Sequence, residues 1–165
     1  CSSDLFSDQN ADYLELSARL GAGLCVERSI MLAKRDRVVY LADAVLARRQ
    51  GALDYRAELP LAPGMRARAA ARSRECRLAN GRARALLLPL ALGEWRDDGQ
   101  APGLSLERRW LRLQQRSEGH RLLAPLWIDL DARRSAGPIT WRRLTVGQDR
   151  QIVPDHVAAD RKSHV

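Results

Sequence analysis

The sequence predicts an all-β fold, an antiparallel β-sandwich. Three observations carry that expectation. Asn80-Gly81 separates two runs, 74–79 and 82–88, and Asn-Gly readily takes the left-handed backbone of a tight hairpin turn. Short segments that alternate apolar and polar residues surround this pair, punctuated by Gly, Pro and charged clusters. No segment shows a convincing long amphipathic helix period.

The elements follow in order. Over residues 13–20, Leu14, Leu16, Ala18 and Leu20 fall on one face and Glu15, Ser17 and Arg19 on the other, which predicts a half-buried strand. Gly21-Ala22-Gly23 turns it into a second strand, 24–32, and Lys34-Arg35-Asp36-Arg37 forms a charged turn. Residues 38–46 are apolar on both faces, as expected of a central, doubly covered strand. Residues 53–61 form a separate strand after Gly51, moved to an edge or ended by Pro60 and Pro63. From Arg68 onward the chain is extended or loop and enters the Asn-Gly hairpin; 92–103 is a loop. A second hairpin spans 104–131, turning at Arg116-Ser117-Glu118-Gly119, with a change of parity at Trp110/Leu111 that marks a bulge. Residues 139–146 supply a final strand. One domain is expected over 4–153, and 154–165 is a polar tail or a truncated continuation.

The chain has 165 residues, enough to bury one sizeable core. Only 5% are aromatic, so Leu, Ala and Val must fill most of it. There are 28 basic and 20 acidic residues, a net charge of +8, and Lys34 and Lys162 are the only lysines. This balance favours polyanions: nucleic acid, acidic glycans or membrane surfaces. A bias towards Arg, Ala, Leu and Gly produces the same balance with no binding role. Cys1, Cys25 and Cys76 lack metal-ligand spacing. They are read as one disulfide plus a free Cys1, or as three thiols. No apolar run approaches the roughly 20 residues of a membrane helix. The chain opens abruptly at Cys1-Ser2-Ser3-Asp4, as a piece of a longer protein would.

Candidate chemistry is sparse. His120, His156 and His164 have no nearby Cys or His partner, so no metal or cofactor is expected. Asp129 and Asp131 end a strand and complete no site alone. Asp43 lies inside the most apolar strand and needs partners, an arginine above all. Arg66, Arg68, Arg72 and Arg74 have even spacing and share a face if extended; Arg108, Arg112 and Arg116 share another. Such forks suit phosphates, sulfates or uronates. Together with Trp110 and Trp127 as stacking surfaces, Arg74, Arg108 and Arg112 are the candidate ligand-binding set. No helix-turn-helix, zinc finger, phosphate loop or nucleophile elbow is present.

Asp12-Tyr13-Leu14-Glu15-Leu16, Cys25-Val26-Glu27-Arg28-Ser29-Ile30 and Arg37-Val38-Val39-Tyr40-Leu41-Ala42-Asp43 resemble the β-sandwich region of heparinase II/III-like polysaccharide lyases, over roughly residues 12–60. Trp141-Arg142-Arg143-Leu144-Thr145-Val146 also looks like a family signature, with no function attached. In those lyases the acid–base residues come largely from a helical domain or its interface, and no such set is matched here. The resemblance implies an accessory sandwich, acidic glycan nearby and a secreted or envelope setting.

The expectation is a non-catalytic scaffold or interaction sandwich whose partners are acidic polysaccharide or further domains of its parent protein. The enzyme alternative is a lyase module in which an arginine neutralises a uronate and Tyr40 or Tyr55 shuttles a proton. A basic nucleic-acid binder is the third reading.

Overall fold

The computed structural model describes residues 2–81, 83–96, 103–107, 109–137, 139–141, 147–148 and 151–152. Nine strands form one antiparallel sheet. They are β1 (Ser2–Ser7), β2 (Ala11–Leu20), β3 (Leu24–Ala33), β4 (Val38–Pro60), β5 (Arg66–Ala69), β6 (Cys76–Asn80), β7 (Ala83–Pro89), β8 (Leu104–Glu107) and β9 (Trp110–Asp129). The spatial order is β1-β2-β3-β4-β9-β7-β6-β5, with β8 paired to β9. Two further short strands, β10 (Gly147–Gln148) and β11 (Gln151–Ile152), pair only with each other. The sheet is not closed into a barrel.

The two segments predicted as separate strands, 38–46 and 53–61, are one strand of 23 residues. Its partner β9 is almost as long, at 20 residues. Pairing runs to Leu46↔Arg121 and resumes at Gly51↔Gly119, so positions 47–50 face His120 alone. Such a wide bulge bends a strand pair and increases its twist. Gly119 has φ +141°, a conformation that a residue with a Cβ rarely adopts. The expected turn at 116–119 is therefore absent. Ser117, Glu118 and Gly119 instead pair with Leu53, Ala52 and Gly51. The chain reverses earlier, where Glu107 pairs with Trp110. What reads as a parity change at Trp110/Leu111 is the start of the new strand.

Beyond the bulge the β4–β9 pair folds back over itself. The Tyr55 hydroxyl reaches the Asp43 carboxylate 12 residues earlier in the same strand. A straight strand would put those residues about 40 Å apart, far beyond the reach of two side chains. The result is a sandwich of unequal layers. The wide layer holds β1, β2, β3, the first part of β4, the second part of β9, β7, β6 and β5. The narrow layer holds the rest of β4, the rest of β9, and β8. Leu87, Leu111, Leu113, Leu122, Ala124 and Leu126 are buried between them. Leu41, Val45, Leu53 and Leu59 close the same core from β4.

The Asn-Gly hairpin forms, but one residue out of the expected register. Asn80 pairs with Ala83, and Gly81 supplies the positive φ of +57°. Pro60 ends β4, as expected of a proline in a ladder. The charged turn at 34–37 is present, with Arg37 at φ +55°. Residues 139–141 are not strand; the rest of that predicted strand, 142–146, and the tail 154–165 lie outside the described residues. On the outer face of the wide layer Leu86, Leu88 and Trp141 make a second small core, flanked by Trp127 and Ile139.

One expected burial fails. The face of β2 with Leu14, Leu16, Ala18 and Leu20 does point to the core side, because its ladder rows lead through β3 to Leu41, Asp43 and Val45. The narrow layer does not extend that far. Leu5 remains 75% exposed, Leu20 52% and Leu16 38%. Leu126→Ala should therefore cost about 2–5 kcal/mol in urea unfolding, while Leu20→Ala should cost under about 1 kcal/mol. Equal losses would show that β2 is covered in solution.

Candidate functional site

Asp43 is the best-buried acidic or basic side chain among the described residues, 2% exposed. It projects from β4 opposite Arg28 on β3. Arg28 Nε donates to Oδ1 and Nη2 to Oδ2, both at 2.7 Å. Tyr55 Oη donates to Oδ2, also at 2.7 Å, from the narrow layer. Planar guanidinium and planar carboxylate meet fork to fork, which satisfies the charge that burial would otherwise expel. The bond to Asp43 raises the Arg28 pKa against the opposing effect of desolvation. Burial, then the bond to Asp43, pushes the Tyr55 hydroxyl well above its usual range. It holds its proton and donates it, so it is a poor general base at neutral pH. Tyr40 is also raised, by burial. Gln115 pairs with Tyr55 in the ladder, and its buried amide nitrogen has no partner among the described residues.

Four of the five predicted ligand residues can be placed, and they do not line one groove. Arg74 is buried and donates to the Trp95 carbonyl. Arg112 joins three strands. Its Nε and Nη2 reach Glu58 Oε1 at 3.0 and 2.9 Å, and Nη2 also pairs with Glu107. Trp110, half-exposed, shares that outer face of the narrow layer, two residues from Arg112. Trp127 sits on the outer face of the other layer, beside Leu86, Leu88 and Trp141. Arg108 lies outside the described residues. Arg116, on the same face as Arg112, stands 3.4 Å from Asp54. Of the even-spaced set, Arg66 and Arg68 share a face of β5, and Arg72 is exposed in the connection to β6.

Other arginines tie down irregular chain. Arg134 grips Asp129 through Nε and Nη2 at 2.7 and 2.9 Å and also reaches the Asp36 carbonyl. Arg77 donates to the carbonyls of Ser135 and Gly137, each at 3.2 Å. Asp131 accepts the backbone N–H groups of Arg133 and Arg134, which lower its pKa. The carboxylate pair 129/131 is thus a strand end and its cap.

Cys25 and Cys76 are both free thiols, so the disulfide reading falls. The ladder explains it. Cys76 pairs with Leu87 of the inner core, whereas Cys25 pairs with Leu46 and Arg19 on the outer face. Burial pushes the Cys76 thiol up to about 11, which makes it unreactive at neutral pH. Among the described residues no group of three or more His, Cys, Asp and Glu could hold a metal ion. No described helix is long and apolar enough to cross a membrane.

This strand arrangement is similar to part of the heparan sulfate lyase HepC from Pedobacter heparinus. A mutant form superposes with a TM-score of 0.54 at 10% identity, over 77% of this chain and 21% of that chain. A second structure of the lyase gives 0.51 at 9% identity, with the same coverage. The likeness is one of fold. This chain spans about a fifth of the length of the lyases it matches, 21%. No family model matches the chain, and no curated protein matches it.

Asp43→Ala should cost about 2–3 kcal/mol in urea unfolding, less than the roughly 3–5 of a fully buried pair because Arg28 reaches solvent. Tyr55→Phe should cost about 1–2 kcal/mol. An unchanged midpoint in either variant would remove the network from the core. In alkali the folded state retains the raised Tyr55 and Cys76 protons longer than the unfolded chain. Stability should be complete below about pH 9 and fall as pH rises towards and past 11. The fall in Tyr55→Phe should be shallower above about pH 10; identical slopes would refute the Tyr55 contribution.

Proposed function

We propose that the chain is a non-catalytic β-sandwich module of a larger lyase-like protein, acting as scaffold and contacting acidic polysaccharide. The observation that carries the scaffold reading is the closed Arg28–Asp43–Tyr55 network. An arginine and Tyr55, one of the two tyrosines of the lyase alternative, are both bonded to Asp43 inside the sandwich. The hydroxyl is held protonated, whereas proton abstraction beside a carboxylate requires a base of lower pKa. The fold likeness to a heparan sulfate lyase and the net charge of +8 support the polysaccharide contact. A secreted or envelope setting follows from the same reading.

Incubation of the chain with heparan sulfate, followed by ultraviolet absorbance of unsaturated uronate, should give no product. The same chain should be retained on immobilised heparan sulfate at physiological salt. Accumulation of unsaturated product would overturn the non-catalytic assignment, and loss of retention would overturn the glycan contact.

A further inference from the structure

Arg28, Lys34, Arg56, Arg77, Arg112, Arg116 and Arg134 each pair with an acid, whereas other arginines are exposed without one among the described residues, and three of these share one face of the hairpin strands. On the outer face of the wide layer, Arg66 pairs with Ala79, and Ala79 with Arg84, so one cross-strand row carries an arginine at each end. The neighbouring row is Arg68, Arg77, Leu86 and Asp129. Arg66, Arg68 and Arg84 are exposed, and their guanidinium groups have no partner among the described residues. The acids nearest in the ladder are already engaged: Glu75 with Arg77 at 3.4 Å, and Asp129 with Arg134 at 2.7 Å. Three open forks therefore stand on one face, beside carboxylates that other arginines already hold.

Their spacing follows from the ladder. Arg66 and Arg68 are two residues apart on one strand, about 7 Å, and Arg66 and Arg84 are two strands apart, about 10 Å. Such an array meets several anionic groups of one extended chain, each fork taking one sulfate or carboxylate through paired N–H donors. The ladder positions next to these arginines are Ala79 and Arg77, neither offering a ring on which a base could stack, and the tryptophans of this face, Trp127 and Trp141, are packed against Leu86 and Leu88. Single-stranded nucleic acid sites rely on exposed rings, and a sheet face presents no helix or ribbon to insert into a duplex groove. These features favour an acidic polysaccharide.

We propose that Arg66, Arg68 and Arg84, none of them in the ligand-binding set expected from the sequence, form the anionic-polysaccharide contact of this chain. The proposal rests on the glycan-contact reading above and names its surface.

The test uses the whole chain, with heparin and single-stranded DNA as probes at about 0.15 M salt, where a Debye length of about 8 Å screens remote charges. Arg66→Gln/Arg68→Gln/Arg84→Gln is compared with Arg19→Gln/Arg35→Gln/Arg49→Gln, which removes equal charge from exposed positions elsewhere. Circular dichroism checks that both remain folded. The first variant should weaken heparin binding roughly tenfold or more, and the second by less than about threefold. Failure of the native chain to bind heparin would sink the glycan-contact reading itself, and the site with it. Equal losses in both variants would leave that reading standing and overturn the site, since net charge alone would explain binding. No loss in the first variant would also overturn the site, leaving the arginines as a charged guard against edge-to-edge pairing at β5. Tighter binding of DNA than heparin, abolished by the first variant, would overturn the choice of polysaccharide.

Discussion

A carboxylate sealed between two β layers is the constraint around which this molecule is built. Asp43 sits in the first part of β4, the longest strand, which pairs with β3 on one side and β9 on the other. It cannot be buried bare, because an unpaired charge in a protein interior is expelled or neutralised. Arg28, one strand away in the wide layer, supplies the opposing fork, and Tyr55 adds a donor from above. Tyr55 can do so only because β4 bends after Leu46. The bend and the network are mutually dependent. Without the bend Asp43 would face water; without the network the bend would bury a lone charge.

The remaining arginines show a second use of charge. With 5% aromatic residues, the chain has few rings with which to pin irregular segments to its sheet. Guanidinium groups serve instead. Arg77 holds the carbonyls of Ser135 and Gly137, Arg96 holds that of Ser73, and Arg134 joins Asp129 to the turn at Asp36. Arg has five donors in a rigid fork and stays charged throughout the accessible pH range, so one side chain can replace several packing contacts. Net charge is consequently a poor guide to binding surface here. The informative quantity is charge that remains unpaired, and on the β5–β7 face it is concentrated in a small area.

The layers are unequal, and this shapes the exposed surface. The narrow layer covers the first part of β4, the second part of β9 and the hairpin strands, with Leu111 and Leu113 projecting from it into the core. It stops short of β1 and β2. Their inward residues continue the apolar rows of the core, yet Leu5 and Leu20 face solvent. Direction in a pleated sheet is local and period-two; cover is supplied by whatever lies across the gap of about 10 Å.

Alternation in the sequence was sufficient for the antiparallel class, for the presence of β2 and β3 to within two residues at their ends, for the central hairpin though not its register, and for the need of Asp43 for an arginine. These depend on residues adjacent in the chain, or on the desolvation of one group, and the amino acids determine them directly. The joining of 38–46 to 53–61, the disappearance of the turn at 116–119 and the separation of Trp110 from Trp127 were not readable. Each depends on which distant segment completes a ladder, and a strand of 23 residues looks like two when its middle is polar. Likewise Arg74, Arg112 and Arg66 are chemically alike in sequence. Only the folded chain brings Trp95 to the first and Glu58 to the second, and leaves the third with water, because an ion pair is a property of proximity across the sheet.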